Sequence, residues 1–140
     1  MPDSGKTSAK AEVIPMAISP GILVVEPDPL ARLGLEYFLA REGFPAHGAA
    51  SLDEARKNMA GATVVFLELD LPDGNGADLF REIRAAALPI RVAIMSAKPP
   101  AATAAQTAGC DAYFEKPITR FKLDRMLAWL KALPPIAPSP

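Results

Sequence analysis

Short apolar runs alternate along the chain with segments whose apolar residues recur at helical spacing. Continuous apolar runs at 22–26, 63–69 and 90–95 have the length and β-branched character of strands buried on both faces. Weaker strand signals lie at 44–49 and 111–115. Since a helical segment follows each run, the pattern predicts a doubly wound (βα)5 fold of the α/β class. Its five-stranded parallel sheet would carry helices on both faces.

The first helical segment has clear signals at both ends. Asp28 followed by Pro29 is typical of an N-cap and a first turn, and Gly43 predicts the end of the helix. The apolar residues that recur at helical spacing between these ends are Leu30, Leu33, Tyr37 and Phe38. Further helices are predicted from Ser51 to about residue 60, and at 76–87, 101–108 and 119–132.

Proline content separates the two ends of the chain from this pattern. Residues 1–20 are polar at first and are then interrupted by Pro15 and Pro20, which predicts a flexible N-terminal segment. Residues 134–140 form a proline-rich C-terminal tail that fits neither a helix nor a central strand. The folded domain is therefore expected at 21–133.

Composition narrows the class of protein. The chain has 140 residues, half of them hydrophobic, and a net charge of −1, so neither a nucleic acid nor a membrane surface is indicated as a partner. No apolar run approaches the length of a membrane span. The single cysteine, Cys110, suits a reducing compartment. These features, with the lack of a signal-peptide pattern, predict a cytoplasmic protein.

Polar residues stand where the predicted strands end. Because the carboxyl ends of parallel strands lie along one edge of a sheet, these side chains are expected to share one crevice. They are Glu26, Glu68, Ser96 and Lys116, with Asp28 and Asp70 close by in the sequence. Acids, a hydroxyl and a lysine at one edge predict a small polar site, in which Glu68 and Lys116 are expected within salt-bridge range of each other.

Four stretches around these positions together resemble one family. They are "ILVVEPDP", "LELDLPDGNG", "IMSA" and "AGCDAYFEKPIT". In this combination the segment 21–133 resembles the receiver domain of bacterial two-component response regulators, which has a flavodoxin-like fold. Each stretch is ordinary alone, and the specificity lies in their order and spacing.

The resemblance implies a chemistry. In the family an aspartate after the third strand takes a phosphoryl group from a histidine kinase, with Mg²⁺ held by that aspartate, by an acid after the first strand and by a loop carbonyl. The lysine and hydroxyl positions, here Lys116 and Ser96, hold the phosphoryl oxygens. Ser96 and Tyr113 correspond to the pair that switches conformation. Such transfer depends mainly on positioned positive charge.

Two positions depart from the family pattern. The phosphoacceptor position is Glu68, so the domain is predicted to be an atypical receiver, and Asp70 lies two residues further along the chain. Pro27 stands where a metal-binding acid is expected and supplies no side-chain oxygen. Because Mg²⁺ requires several well-placed oxygens, binding is predicted to be weak, and no cofactor is expected.

These features bear on three candidate functions. The favoured one is a stand-alone, non-enzymatic receiver that acts by protein–protein contact, with Glu68 unphosphorylated and either a partial mimic of phosphate or a drifted residue. The alternative is a competent phosphoacceptor in a phosphorelay. A nucleotide or flavin binder is disfavoured, because acid rather than a glycine-rich loop follows the first strand.

The expected partner is a protein, either a histidine kinase or a downstream signalling protein, and a homodimer is left open. Contact is expected through the fourth helix, fifth strand and fifth helix of the βα series. Phe121 and Trp129 fall away from the leucine stripe of the last helix and are predicted to form part of a contact surface.

Overall fold

The computed structural model describes residues 21–134. Its elements are β1 (Ile22–Val25), α1 (Pro29–Arg41), β2 (Ala46–Ala49), α2 (Leu52–Lys57), β3 (Val64–Glu68), β4 (Asp70–Leu71), β5 (Gly74–Asn75), α3 (Gly76–Ala85), β6 (Arg91–Ser96), α4 (Pro100–Thr107), β7 (Ala112–Glu115) and α5 (Arg120–Ala132). The predicted segment 1–20 and residues 135–140 of the predicted tail lie outside the described residues.

Five strands form one parallel sheet in the order β2-β1-β3-β6-β7. The predicted doubly wound fold is confirmed, and each of the five predicted strands is present within two residues of its expected ends. The sheet is parallel because a helix connects each of its strands to the next. Among the described helices, none has the length and apolar character needed to cross a membrane.

Alternate side chains of the strands fill two cores, one on each face of the sheet. Val65 and Leu67 of β3 pack with α2 and α3, whereas Val64 and Phe66 of the same strand pack with α1 and α5. Both sets are almost fully buried, which is why the strand is apolar at each of positions 64–67 rather than at alternate ones.

A small antiparallel hairpin, β4–β5, follows β3 and was not predicted. Its two short strands lie at the two ends of the stretch "DLPDGN", whose turn residues indicate only a loop. Leu71 of the hairpin is buried, and the carboxylate of Asp73 accepts hydrogen bonds from the backbone N–H groups of Leu52 and Asp53. The hairpin therefore joins the end of β3 to the start of α2.

Helix α1 buries a different face from the one that its apolar spacing suggested. Leu35 and Leu39 pack into the core, whereas Leu30, Leu33 and Tyr37 are 82%, 57% and 65% exposed. The predicted cap is present, since the Asp28 carboxylate accepts a hydrogen bond from the N–H of Ala31. Apolar residues occur around most of the helix, so periodicity alone did not identify the buried face.

The two aromatic residues of α5 lie in different environments. Phe121 is exposed, as expected of a contact surface. Trp129 instead packs edge-on against Phe66 and Phe114, at ring-centroid distances of 5.8 and 6.3 Å. The tryptophan is therefore half-buried against the core between α5 and the sheet, which corrects its predicted place beside Phe121.

Candidate functional site

The ends of the strands bring the predicted site residues to one edge of the sheet. Glu26 follows β1, Glu68 ends β3 and Ser96 ends β6, and all three are buried. Lys116 follows β7, and its backbone N–H donates to the carbonyl of Ser96 over 2.7 Å. The parallel register thus places the four side chains together, although up to 90 residues separate them in the chain.

Lys116 bridges the two buried glutamates. Its ammonium nitrogen Nζ lies 2.5 Å from Oε1 of Glu26 and 2.5 Å from Oε1 of Glu68. The two carboxylate side chains are 4% and 6% exposed, and the lysine side chain is 23% exposed. The predicted pairing of Glu68 with Lys116 is confirmed, and the participation of Glu26 makes it a triad.

The second oxygen of each glutamate is also hydrogen bonded. The N–H of Asp28 donates to Oε2 of Glu26 over 3.0 Å, and the N–H of Asp70 donates to Oε2 of Glu68 over 2.9 Å. In both cases the donor is two residues beyond the glutamate. Every carboxylate oxygen of the pair therefore has a donor, which lowers the cost of burying the two charges.

Electrostatics hold the lysine in its charged form. Burial alone would lower the pKa of Lys116, but its hydrogen bonds to Glu26 and Glu68 and the attraction of their charges raise the pKa above its ordinary value. One ammonium nevertheless faces two carboxylates. The triad therefore keeps an excess of negative charge when both glutamates are ionised, and Asp28 and Asp70 add exposed carboxylates nearby.

The hydrogen bonds at this edge disfavour a Mg²⁺ ion in this arrangement. Oε1 of both glutamates contacts a lysine cation and Oε2 of both accepts a backbone N–H, so a metal ion would have to compete with these donors for either carboxylate. Pro27 contributes no side-chain ligand. Within residues 21–134, no group of three histidine, cysteine, aspartate or glutamate side chains is arranged to hold a metal ion.

The two predicted switch residues meet at Lys98, which the sequence did not single out. The hydroxyl of Ser96 accepts the N–H of Lys98 over 3.0 Å, and the hydroxyl of Tyr113 donates to the Lys98 carbonyl over 2.8 Å. The Tyr113 hydroxyl also shares a 2.9 Å hydrogen bond with Thr103, a buried residue of α4. Tyr113 is half-buried and connects the edge of the sheet to the loop before α4.

Arg32 is a second residue of this edge that sequence reasoning missed. Its guanidinium donates to the backbone carbonyl of Glu26 over 2.8 Å, so it supports the loop after β1. The only signal was its position one turn beyond the Asp28 cap. In the sequence, this position does not distinguish Arg32 from an ordinary exposed arginine of a helix.

An open groove of about 600 Å³ adjoins the triad. Most of its lining is apolar and comes from α1 and from the segment that follows Lys116, with Glu26 and Lys116 at its polar end. Residues of α1 that line it include Leu30, Ala31 and Gly34, and on the other side it is bounded by Pro117, Ile118 and Leu123.

Known structures share this architecture. The chain is similar to a CheY-like receiver domain protein from Methanospirillum hungatei, with 21% identity, a TM-score of 0.71, and coverage of 80% of this chain and 90% of that one. TrrA from Thermotoga maritima, solved in complex with Mg²⁺–BeF, has 24% identity and a TM-score of 0.70, with 79% and 98% covered. A CheY-like receiver domain from Methylobacillus flagellatus has 28% identity and a TM-score of 0.67, with 78% and 96% covered.

One of two sequence comparisons, that with family models, agrees with the fold. No curated protein matches the chain at a significant level. The family model of the response regulator receiver domain matches residues 22–128, which includes every strand of the sheet and the triad. This chain therefore belongs to the receiver domain family of two-component response regulators.

Proposed function

We propose that this receiver domain acts by protein–protein contact without being phosphorylated. The observation that carries the proposal is the Lys116 ammonium, 2.5 Å from both Glu26 and Glu68. In the family, the lysine position contacts phosphoryl oxygens. In this chain the residue at the acceptor position already supplies the negative partner for that lysine.

The length of the glutamate side chain explains this arrangement. Glutamate is one methylene longer than aspartate, so its carboxylate extends further from the strand end towards Lys116. An incoming phosphoryl group would have to displace a charge-assisted hydrogen bond that is largely shielded from water, and such bonds are stronger than exposed ones. The arrangement therefore disfavours attack by Glu68.

Glu68 is also proposed to mimic, in part, the phosphoryl group of a phosphorylated receiver. Glu68 supplies one negative charge, whereas a phosphoryl group supplies nearly two. The half-buried Tyr113, tied to Lys98 and Thr103, supports a conformation in which the switch residue is held against the domain rather than in solvent. The charge at position 68 is proposed to favour this conformation.

The protein is proposed to be no enzyme and to need no cofactor, because Mg²⁺ would have to compete with the donors that already bind each carboxylate oxygen of Glu26 and Glu68. Its partner is proposed to be a histidine kinase or a downstream signalling protein. A cytoplasmic location is expected because the chain has a single cysteine, Cys110, as suits a reducing compartment.

Treatment with acetyl phosphate and Mg²⁺, followed by intact-mass spectrometry, tests the proposal. The wild-type chain should gain no phosphoryl group, and beryllofluoride with Mg²⁺ should leave its backbone amide spectrum unchanged. The matched control is the double variant Glu68→Asp with Pro27→Asp, which shortens the acceptor and supplies the missing acid. This variant should respond to beryllofluoride.

A stoichiometric phosphoryl adduct on the wild-type chain would contradict the proposal and support the phosphorelay alternative. Mapping the adduct to Glu68 or to Asp70 would then identify the acceptor. Saturable Mg²⁺ binding by the wild type would count against the absence of a metal cofactor, whether or not phosphorylation occurs.

A further inference from the structure

The exposed side of α1 carries a continuous apolar stripe. Leu30, Leu33 and Tyr37 are more than half exposed, and Gly34 lies between them in the sequence. At about 100° per residue these four positions fall on one face of the helix. Arg41 belongs to the same face, since its guanidinium carbon lies 5.7 Å from the centre of the Tyr37 ring. These five residues are called the α1 face below.

Such a face is unusual for a helix that borders solvent. The solvent side of a surface helix normally carries charged residues, and contiguous apolar patches on soluble proteins mark contact sites. Only three charged residues occur in α1, and one of them, Arg32, is turned to the backbone of Glu26. The α1 face therefore has little charge to keep it in water.

We propose that a second copy of this chain covers the α1 face, giving a two-fold dimer with antiparallel α1 helices. The face is self-complementary about the midpoint between Leu33 and Gly34. Leu30 and Tyr37 are equally far from that midpoint, so each would pack against the other in the second copy. Leu33 would pack against Gly34, where even an added Cβ atom would find no heavy atom within 4 Å. Leu33 thus meets a small, open position on both sides of the axis, and the two Leu30–Tyr37 pairs flank it.

Charge complementarity supports the antiparallel direction. Arg41 lies at the carboxyl end of α1, and the exposed Asp28 caps its amino end. In an antiparallel pair the arginine of one copy approaches the aspartate of the other at both ends of the contact. The helix dipoles oppose each other in the same arrangement, which is favourable.

The contact has a consequence for the groove beside the triad. Leu30 and Gly34 belong both to the α1 face and to the wall of that groove. A second copy on the α1 face would cover one side of the groove, so dimer formation and docking of another protein there would exclude each other. This inference does not depend on whether Glu68 accepts phosphate.

Sedimentation velocity on the full chain tests the dimer. A contact made by one pair of helices is at the small end of specific interfaces, so a dissociation constant in the micromolar range is expected, and concentrations from about 5 to 500 µM should span it. Leu33→Glu should weaken the dimer at least about tenfold, because it brings two carboxylates to the axis. Leu88→Glu, the same change at an exposed leucine outside α1, is the matched control and should leave the constant unchanged.

Amide spectra recorded over the same dilution series locate the contact. Shifts should concentrate at residues 28–41, and those of α4 should stay constant. A chain that remains monomeric up to the highest concentration would overturn the proposal. So would a dimer that Leu33→Glu does not weaken, or one that Leu33→Glu and Leu88→Glu weaken equally, because the contact would then use another surface.

Discussion

The ammonium of Lys116 lies 2.5 Å from Oε1 of Glu68, inside an edge of the sheet where both groups are mostly shielded from water. Glu26 lies equally close to the same ammonium. One cation therefore compensates two buried carboxylates. Removing the cation and removing a carboxylate should have very different effects on this domain.

Lys116→Met should destabilise the domain by about 3–5 kcal/mol at neutral pH, because it leaves Glu26 and Glu68 buried without a counterion. Urea denaturation followed by circular dichroism measures the change. Lys57→Met is the matched control. Its salt bridge to Asp53 is exposed, so the loss of charge there should leave the unfolding midpoint nearly unchanged.

A second variant separates charge from packing. Glu68→Gln in the Lys116→Met background should recover part of the lost stability, because only one buried carboxylate remains. A deficit that is the same with and without Glu68→Gln would show that lost packing rather than charge is responsible.

Glu68→Gln alone should alter the surroundings of Tyr113. It keeps the shape of the side chain and removes the charge proposed to favour the packed state of Tyr113. A bias of about 1–2 kcal/mol would change the populations severalfold. The Tyr113 ring resonances and the Lys98 amide report this change, because the Tyr113 hydroxyl bonds the Lys98 carbonyl.

The neighbouring exposed acid provides the control for this experiment. Asp70→Asn removes a charge two residues away and should leave the Tyr113 resonances in place. If Glu68→Gln has as little effect as Asp70→Asn, then Glu68 does not act as a phosphate mimic. Position 68 would then be a drifted residue in a domain that signals through its outer surfaces.

The Asp73 carboxylate should make the free energy of unfolding depend on pH in the acid range. Hydrogen bonds from the backbone N–H groups of Asp53 and Leu52 lower the pKa of Asp73 below its ordinary value. A group whose pKa is lower in the folded state contributes stability above its unfolded pKa, and loses it as the pH falls through the folded pKa. The stability difference between wild type and Asp73→Ala should therefore be constant near neutral pH and shrink below about pH 4.

Urea denaturation of both chains over a pH series measures this difference. Ser51→Ala offers a comparison at the same helix, since the Ser51 hydroxyl caps α2 without carrying a charge. Its stability deficit should not shrink in acid. A wild-type minus Asp73→Ala difference that stays flat into the acid range would contradict the role given to the carboxylate.

Two glycine-to-alanine changes should have opposite signs. A Cβ added at Gly76 would lie 2.2 Å from the backbone oxygen of Glu68, so Gly76→Ala should cost about 3 kcal/mol or more and displace the acceptor residue. Gly34→Ala meets open space in the middle of α1 and should stabilise the domain by about 0.5–1 kcal/mol. Thermal unfolding at a few micromolar measures both changes. Equal effects of the two variants would contradict the close packing of Gly76 under the end of β3.

The sequence by itself determined the order of strands and helices and the residues that end each strand. Continuous apolar runs are typical of strands buried on both faces, and the carboxyl ends of parallel strands share one edge, so Glu26, Glu68, Ser96 and Lys116 could be grouped without coordinates. The approach of Lys116 to Glu68 followed from this grouping and is confirmed.

Only the tertiary structure decided which groups interact at that edge and which faces are buried. Local spacing does not show that Lys116 contacts Glu26 as well, because the contact joins residues 90 positions apart. Helix α1 is apolar around most of its circumference, so its buried side depends on how the helix packs on the sheet. Trp129 packs against the core for the same reason, because aromatic residues of two distant strands meet it there. Each of these features depends on contacts between distant parts of the chain, which no local pattern contains.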